Sequence, residues 1–154
     1  MSGAGNGGLM SEQEQRDAVL AEARSWLRTP FHHAARVKGA GVDCAQILIA
    51  VYSKAGIIRE FTPEFYRAQW HFHRSEERYL ATIGRFAKEF PGPPKPADVA
   101  VFKFARCFSH GAIVLEWPTV IHAYIGRGVE LCDVSKDAGF IGRPVKFFTA
   151  WGLA

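Results

Sequence analysis

The residue best placed for chemistry in this sequence is Cys44, which lies in the stretch Gly41-Val42-Asp43-Cys44 at the predicted start of an apolar helix. Asp43 is a good N-cap, and Gln46 stands where it can return a hydrogen bond, so the pattern predicts a capping box with Cys44 at the first helical position. A thiol there feels the positive end of the helix dipole, which together with a basic partner lowers a cysteine pKa from about 8.5 to roughly 3.5–7.5. The pattern therefore predicts a nucleophile. The alternative is a small, buried hydrophobic residue.

Two histidines in predicted strands, His110 and His122, are the candidate partners of this thiol. Successive side chains of a strand point to opposite faces, so the loop between the two strands decides whether the imidazoles meet. A three-residue loop, Glu116-Trp117-Pro118, sets His122 opposite Ala112 and turns both imidazoles toward one face, which we expect the Cys44 helix to cover. A two-residue loop would put them on opposite faces. The alternative for either histidine is a structural strand residue with a hydrogen-bond partner.

The first half of the chain carries the 3.6-residue periodicity of amphipathic helices. Capping-box, proline and acidic first-turn signals mark the helix starts, and Gly56 closes the Cys44 helix. The last helix is expected to continue to the breaker at Pro91. The predicted starts are Ser11 with Glu14, Asp43, Thr62-Pro63 and Ser75-Glu76-Glu77.

From Asp98 onward the hydrophobic period changes to two, which is typical of strands. Short turns separate these strands and predict an antiparallel meander. Helices followed by strands indicate an α+β domain, with the cysteine helix packed on the sheet. The predicted strands are Val99–Phe104, Gly111–Leu115, Thr119–Tyr124, Gly128–Leu131 and Val145–Phe148.

Length and composition limit the class of protein. With 154 residues, 48% of them hydrophobic, the chain is expected to form one domain, residues 11–154, behind a short flexible leader, residues 1–10. That leader lacks the basic and apolar regions of a secretory signal, and no apolar run is long enough to predict a membrane span. The net charge of +4 favours an anionic surface such as a cell-wall polymer, but the basic residues are dispersed, which argues against nucleic acid. Three cysteines form neither a disulfide framework nor a metal knuckle.

Two other histidine pairs are candidate metal or substrate sites. Adjacent histidines such as His32 and His33 rarely bind one metal together, so solvent exposure or substrate contact is the preferred interpretation. His71 and His73 have the spacing of zinc ligands, but no further ligands follow at a recognisable distance. We therefore interpret Trp70–Arg74 as an aromatic and basic contact surface, and we predict no metal and no cofactor.

Several segments of the chain resemble the NlpC-like cell-wall peptidases, a family of papain-fold cysteine hydrolases. The order of Cys44, His110 and His122 is specific to this family. Similarity over residues 32–39 and 70–79 indicates the form carried by tailed bacteriophages and gene transfer agents. The segments that carry the resemblance are Trp26-Leu27-x-Thr29-Pro30-Phe31, Gly41-Val42-Asp43-Cys44, Pro96-Ala97-Asp98-Val99-Ala100-Val101-Phe102, Ser109-His110-Gly111-Ala112-Ile113-Val114 and Val120-Ile121-His122-Ala123.

The resemblance implies a papain-like fold and a role for individual residues. Cys44 would be the nucleophile, His110 the base and His122 the third, orienting polar residue. Two departures are visible: phenylalanine replaces a common substrate-contacting tyrosine, and Ala97 replaces the usual glycine before an aspartate. The implied substrate-binding residues are Phe31, His32, His33 and Asp43.

The resemblance also implies an activity and a place of action. The expected reaction is hydrolysis of the peptide stems of bacterial peptidoglycan at the D-γ-glutamyl–diaminopimelate bond. We expect the protein to be made in the cytoplasm and carried by a phage tail or a gene-transfer-agent particle, with the tail proteins as partners. We expect it to act in the periplasm or cell wall. The alternatives are a thiol amidase or acyltransferase with another substrate, and a tail structural component without catalysis.

Overall fold

The computed structural model describes residues 9–63 and 78–152, and over these ranges it confirms the predicted α+β class. The predicted strands are all present, although the second begins earlier, at Cys107. The helices are α1 (Glu12–Ser25), α2 (Gln46–Lys54) and α3 (Arg78–Ile83). The strands are β1 (Arg36–Val37), β2 (Gly41–Val42), β3 (Lys88–Phe90), β4 (Val99–Phe104), β5 (Cys107–Val114), β6 (Thr119–Tyr124), β7 (Gly128–Asp133) and β8 (Val145–Thr149).

Some predicted features lie outside the described residues. These are most of the leader, the helix expected after Thr62-Pro63, the Trp70–Arg74 stretch with His71 and His73, and the helix start at Ser75-Glu76-Glu77. Within the described part of the chain, no helix has the length and apolar character needed to cross a membrane.

Six strands form one antiparallel sheet in the order β3-β8-β4-β5-β6-β7. Strands β4 to β7 follow one another as the predicted meander, because short turns connect them. Strand β8 departs from this order: it crosses back to pair with β4, with Val99 opposite Phe148, and it carries β3 on its other side. The meander prediction is therefore wrong for β8, because the longer connection after β7 lets that strand reach the opposite side of β4.

The sheet separates two hydrophobic cores. On one side, Val101 and Ile113 pack with the helices, where α1 begins with the predicted capping box and α2 is buried along most of its length. On the other side, Phe102 and Val114 pack with Phe140 from the connection between β7 and β8. The alternation of strand side chains thus sends neighbouring residues into different cores.

Helix α3 ends earlier than predicted. It ends at Ile83, and Lys88–Phe90, expected to be helical, forms β3 and pairs with β8. Apolar residues over so short a run fit a helix or a strand equally well. Pairing with β8 decides between them.

The outer edge of β7 is bonded to the segment that follows α1. The N–H of Arg28 donates to the carbonyl of Val129 at 3.0 Å, and the N–H of Val129 donates to the carbonyl of Thr29 at 2.9 Å. At Gly128, which has φ +73°, a Cβ would lie 2.7 Å from the carbonyl oxygen of Thr29. Only glycine fits this close approach.

Candidate active site

Strands β5 and β6 form the hairpin that carries the two candidate histidines. Ile113 pairs with Ile121, which leaves Glu116-Trp117-Pro118 as a three-residue loop. This is the predicted register. His110 and His122 consequently lie on the same face of the sheet, as predicted.

The two imidazoles are joined by a hydrogen bond, and a carboxylate continues the chain of contacts. Nε2 of His110 lies 2.8 Å from Nδ1 of His122, and Nε2 of His122 lies 2.8 Å from Oε2 of Glu130. Glu130 stands directly opposite His122 on β7. Sequence reasoning missed Glu130, although the loop-length argument applied to the next hairpin would have placed it on the same face as His122.

The shared face is the one opposite α2, which corrects the expectation that the Cys44 helix covers it. The imidazoles lie among aromatic rings of the second core, and the Phe140 ring centroid is 5.6 Å from that of His110 and 5.1 Å from that of His122. Phe104 and Tyr124 complete this aromatic cluster. Burial lowers the pKa of His122 below its ordinary value, and the hydrogen bond that the ring makes to the Glu130 carboxylate offsets part of that effect. Burial thus favours the neutral form of His122.

Cys44 lies in the turn that leads into α2, two residues before the regular helix begins at Gln46. Asp43 caps this turn, because its Oδ1 accepts hydrogen bonds from the N–H groups of Ala45 at 3.1 Å and Gln46 at 2.8 Å. The side-chain oxygen of Gln46 accepts from Nε of Arg36 at 2.7 Å. The capping function of Asp43 is as predicted. The placement of Cys44 at the first position of the regular helix is not.

Cys44 is only 7% exposed, and its Sγ lies 3.8 Å from the carbonyl oxygen of Ser109. Burial raises the pKa of the Cys44 thiol, and the neighbouring Asp43 carboxylate raises it further. This corrects the expectation of a lowered pKa, because desolvation outweighs the hydrogen bonds from Tyr79 and the backbone that lower it. The resting thiol is neutral, so a base is needed to deprotonate it.

Tyr79 connects the Cys44 turn to β5. Its buried hydroxyl donates to the carbonyl of Cys44 at 2.7 Å and accepts from the N–H of Gly111 at 3.0 Å. Together with the contact to Ser109, this holds Cys44 against the backbone on both sides of His110. In the sequence Tyr79 is simply one apolar member of a helical stripe, so no signal identified this role.

The predicted substrate-binding segment lies beside the cysteine turn. Phe31 forms a parallel bridge with Val42, and the N–H of His32 donates to the carbonyl of Val42 at 3.0 Å. The His32 side chain is exposed, and Nδ1 of His33 lies 3.8 Å from Oδ2 of Asp43. The structure thus brings this segment next to the nucleophile. Contact of these residues with substrate stays a prediction.

One group of potential metal ligands occurs within the described ranges, at His122, Glu130 and Cys132, whose ligand atoms lie within 4.8 Å of one another. A protein cation already lies against this group. Nη1 of Arg127 is 3.4 Å from the Glu130 carboxylate and 2.8 Å from Asp137, and the Cys132 thiol contacts Asp137 at 3.6 Å. We therefore assign these side chains to a hydrogen-bond network.

Comparison with solved structures shows that the chain has the NlpC/p60 fold, which confirms the predicted fold. It matches the NlpC/p60 domain of the peptidoglycan hydrolase SagA with a TM-score of 0.60 and 18% identity, over 85% of this chain and 96% of that chain. Two further matches have a TM-score of 0.56 and 16% identity over 88% of this chain. One is RipD from Mycobacterium tuberculosis, described as a non-catalytic NlpC/p60 domain protein adapted to peptidoglycan binding, and the match includes 96% of that chain. The other is the P60 domain of an M. avium paratuberculosis antigen, and the match includes 92% of that chain. No protein-family model and no curated protein sequence matches the chain.

Proposed function

We propose that this NlpC/p60-fold chain is a cysteine endopeptidase that hydrolyses the peptide stems of bacterial peptidoglycan, with Cys44 as nucleophile, His110 as base and His122 as orienting residue. The observation that carries the proposal is the hydrogen bond between His110 Nε2 and His122 Nδ1, next to Ser109, whose carbonyl oxygen lies 3.8 Å from Sγ of Cys44. Because Nε2 of His110 is engaged by His122, Nδ1 is the ring nitrogen that we propose takes the thiol proton. Two structural neighbours are described as a peptidoglycan hydrolase and a peptidoglycan-binding protein, which supports stem peptides as substrate. The D-γ-glutamyl–diaminopimelate bond is the specific target that we propose.

The reaction begins when Nδ1 of His110 takes the thiol proton and Sγ of Cys44 attacks the scissile carbonyl carbon. The N–H groups of Ala45 and Gln46 are bound to Asp43, so the N–H of Cys44 itself is our candidate for stabilising the oxyanion. Protonated His110 then gives its proton to the leaving amine, and a thioester remains on the sulfur. His110 next takes a proton from a water molecule that attacks the thioester. The acid product leaves, and the thiol regains its proton.

The neutral resting thiol affects the order of these events. Burial favours the neutral form, so a stable thiolate is not expected before substrate arrives. We propose that the proton moves to His110 together with the attack on the bound carbonyl. This makes correct placement of the His110 base a condition for any turnover.

Mass spectrometry of purified muropeptides after incubation with the protein tests the proposal. We expect stems cut between D-γ-glutamate and diaminopimelate, with activity lost in Cys44→Ala and His110→Ala. Cys107→Ala, which removes another buried cysteine, is the matched control and should stay active. Cleavage of a different bond, or transfer to an acceptor amine, would assign the chain to the thiol amidases or acyltransferases. Binding of muropeptides without any cleavage would reject catalysis and favour the binding function described for RipD.

We also propose that a phage tail or a gene-transfer-agent particle delivers the enzyme, so that it acts in the periplasm or cell wall. The proposed contact surface is the aromatic and basic stretch Trp70–Arg74, whose composition is the support for it. Replacing Trp70 and His73 by alanine should abolish incorporation into particles and leave cleavage of soluble muropeptides unchanged. Normal incorporation of the double variant would reject this surface. A non-catalytic tail component would incorporate normally and cleave nothing.

A further inference from the structure

We infer that Glu130 is a positioning residue that determines which ring nitrogens of His122 and His110 carry protons, and that it thereby keeps Nδ1 of His110 unprotonated and able to act as a base. The proton arrangement follows from the hydrogen bonds themselves. Its catalytic consequence rests on the proposed function.

The Glu130 carboxylate fixes the proton on one nitrogen of the His122 ring. An ionised carboxylate has no proton and can only accept hydrogen bonds. The contact of 2.8 Å between Oε2 of Glu130 and Nε2 of His122 therefore requires the proton to be on Nε2 of His122. Arg127, whose Nη1 is 3.4 Å from Glu130 and 2.8 Å from Asp137, places a positive charge beside this carboxylate.

The position of this proton on His122 also decides which nitrogen of His110 is protonated. A neutral imidazole carries one N–H, so Nδ1 of His122 is an acceptor once its Nε2 is a donor. Nε2 of His110, 2.8 Å away, must then donate, and Nδ1 of a neutral His110 has no proton. In the reverse arrangement Nε2 of His122 would carry no proton, and its lone pair would face the carboxylate. His122 is fully buried, so solvent does not supply an alternative partner there.

The position of Glu130 in the sheet suits it to hold the proton on Nε2 of His122. It lies directly opposite His122 on β7, so the sheet register fixes the distance between the two side chains. The Glu130 side chain is 25% exposed, so its replacement leaves no large cavity in the core. The charged groups that face His122 are Glu130, Arg127 and Asp137, and Glu130 is the one bonded to the ring.

Nitrogen-15 NMR of the histidine rings tests the proton arrangement without reference to activity, because protonated and unprotonated ring nitrogens have different chemical shifts. In Cys44→Ala protein at pH 7 to 8, we expect Nδ1 of both His110 and His122 to be unprotonated. Adding Glu130→Ala should give a mixture of the two neutral forms of His122, so that its Nδ1 is partly protonated. Glu89→Gln, which removes an exposed carboxylate paired with Lys146 at 3.5 Å, is the matched control and should change neither ring. A protonated Nδ1 on His122 in the parent, or unchanged ring shifts in Glu130→Ala, would overturn the inference.

Kinetics on muropeptides test the catalytic consequence. Replacing a group that orients a metal-binding histidine typically costs about 10- to 100-fold in activity. By analogy, we expect Glu130→Ala to lower kcat by about this factor with KM unchanged. Glu130→Gln should recover part of the loss, because its amide oxygen can accept the same hydrogen bond. Backbone amide spectra establish that each variant is folded. Wild-type kcat in Glu130→Ala would overturn the positioning role. A wild-type protein that cleaves no muropeptide would reject the proposed function, while the ring nitrogens still decide the proton arrangement.

Discussion

Replacing Tyr79 by phenylalanine should destabilise the protein at the turn that carries the nucleophile. The Tyr79 hydroxyl serves two buried backbone groups, the carbonyl of Cys44 and the N–H of Gly111. A buried polar group that loses its partner costs about 1–3 kcal/mol, and the phenylalanine ring leaves almost no cavity. Loss of both bonds should therefore lower the free energy of unfolding by at least about 2 kcal/mol. At about 2–4 °C per kcal/mol for a domain of this size, Tm should fall by at least about 4 °C.

The matched control is Tyr52→Phe, since the buried Tyr52 hydroxyl donates to a single backbone carbonyl, that of Ala97. Urea denaturation followed by circular dichroism gives both free energies of unfolding. We expect the loss in Tyr52→Phe to be about half of that in Tyr79→Phe, and we expect only Tyr79→Phe to lower kcat at temperatures where both variants are folded. A loss in Tyr79→Phe no larger than in Tyr52→Phe would refute the view that this hydroxyl joins two backbone segments.

Five further outcomes are expected. His122→Gln should recover part of the kcat lost in His122→Ala, because an amide oxygen can accept the same hydrogen bond; equal inactivity would contradict the orienting role. Since burial lowers the native pKa of His122, the unfolded state takes up the proton first, so the free energy of unfolding should fall as pH drops below about 6.5. Denaturation curves at a series of pH values should show that the free energy of unfolding depends less on pH in His122→Gln than in the wild type. Ala97 has φ +82°, so Ala97→Gly should raise the free energy of unfolding by about 1 kcal/mol or less, and a fall would contradict backbone strain there. Arg16→Met leaves the buried Asp98 carboxylate without the guanidinium 3.0 Å away, and denaturation should reveal a cost of about 3–5 kcal/mol. Iodoacetamide should modify Cys44 slowly in the substrate-free protein because burial raises its pKa; rapid labelling at mildly acidic pH, located by peptide mapping, would contradict a neutral thiol.

The placement of the two histidines on one face could be predicted because strand alternation has a strict period and the loop at Trp117-Pro118 has few possible lengths. Alternation relates side chains to one another but does not say which face receives a helix. The expectation that α2 covers the histidines failed for this reason. The same limit applies to β8, because local patterns do not identify the strand with which it pairs.

The electrostatic character of the site could not be predicted from sequence. The helix start at Cys44 suggested a lowered thiol pKa, but the depth of burial decides the sign, and burial is a property of the folded chain. Tyr79 was missed because its hydroxyl bonds to backbone groups far away in sequence. Glu130 is different: its position relative to His122 follows from the length of one hairpin loop, so it was within reach of the argument already used for His110.

An open sheet has two edges whose unpaired backbone groups can template pairing with another molecule. Strand β7 is bonded at Val129 to Arg28 and Thr29, so part of that edge is already occupied. The edge at β3 is three residues long, exposes charged Lys88 and Glu89, and is followed by a proline. Within residues 9–63 and 78–152, neither edge presents a long, flat run of backbone donors and acceptors to a neighbouring copy. Concentrated preparations of the protein should therefore resist aggregation through strand pairing.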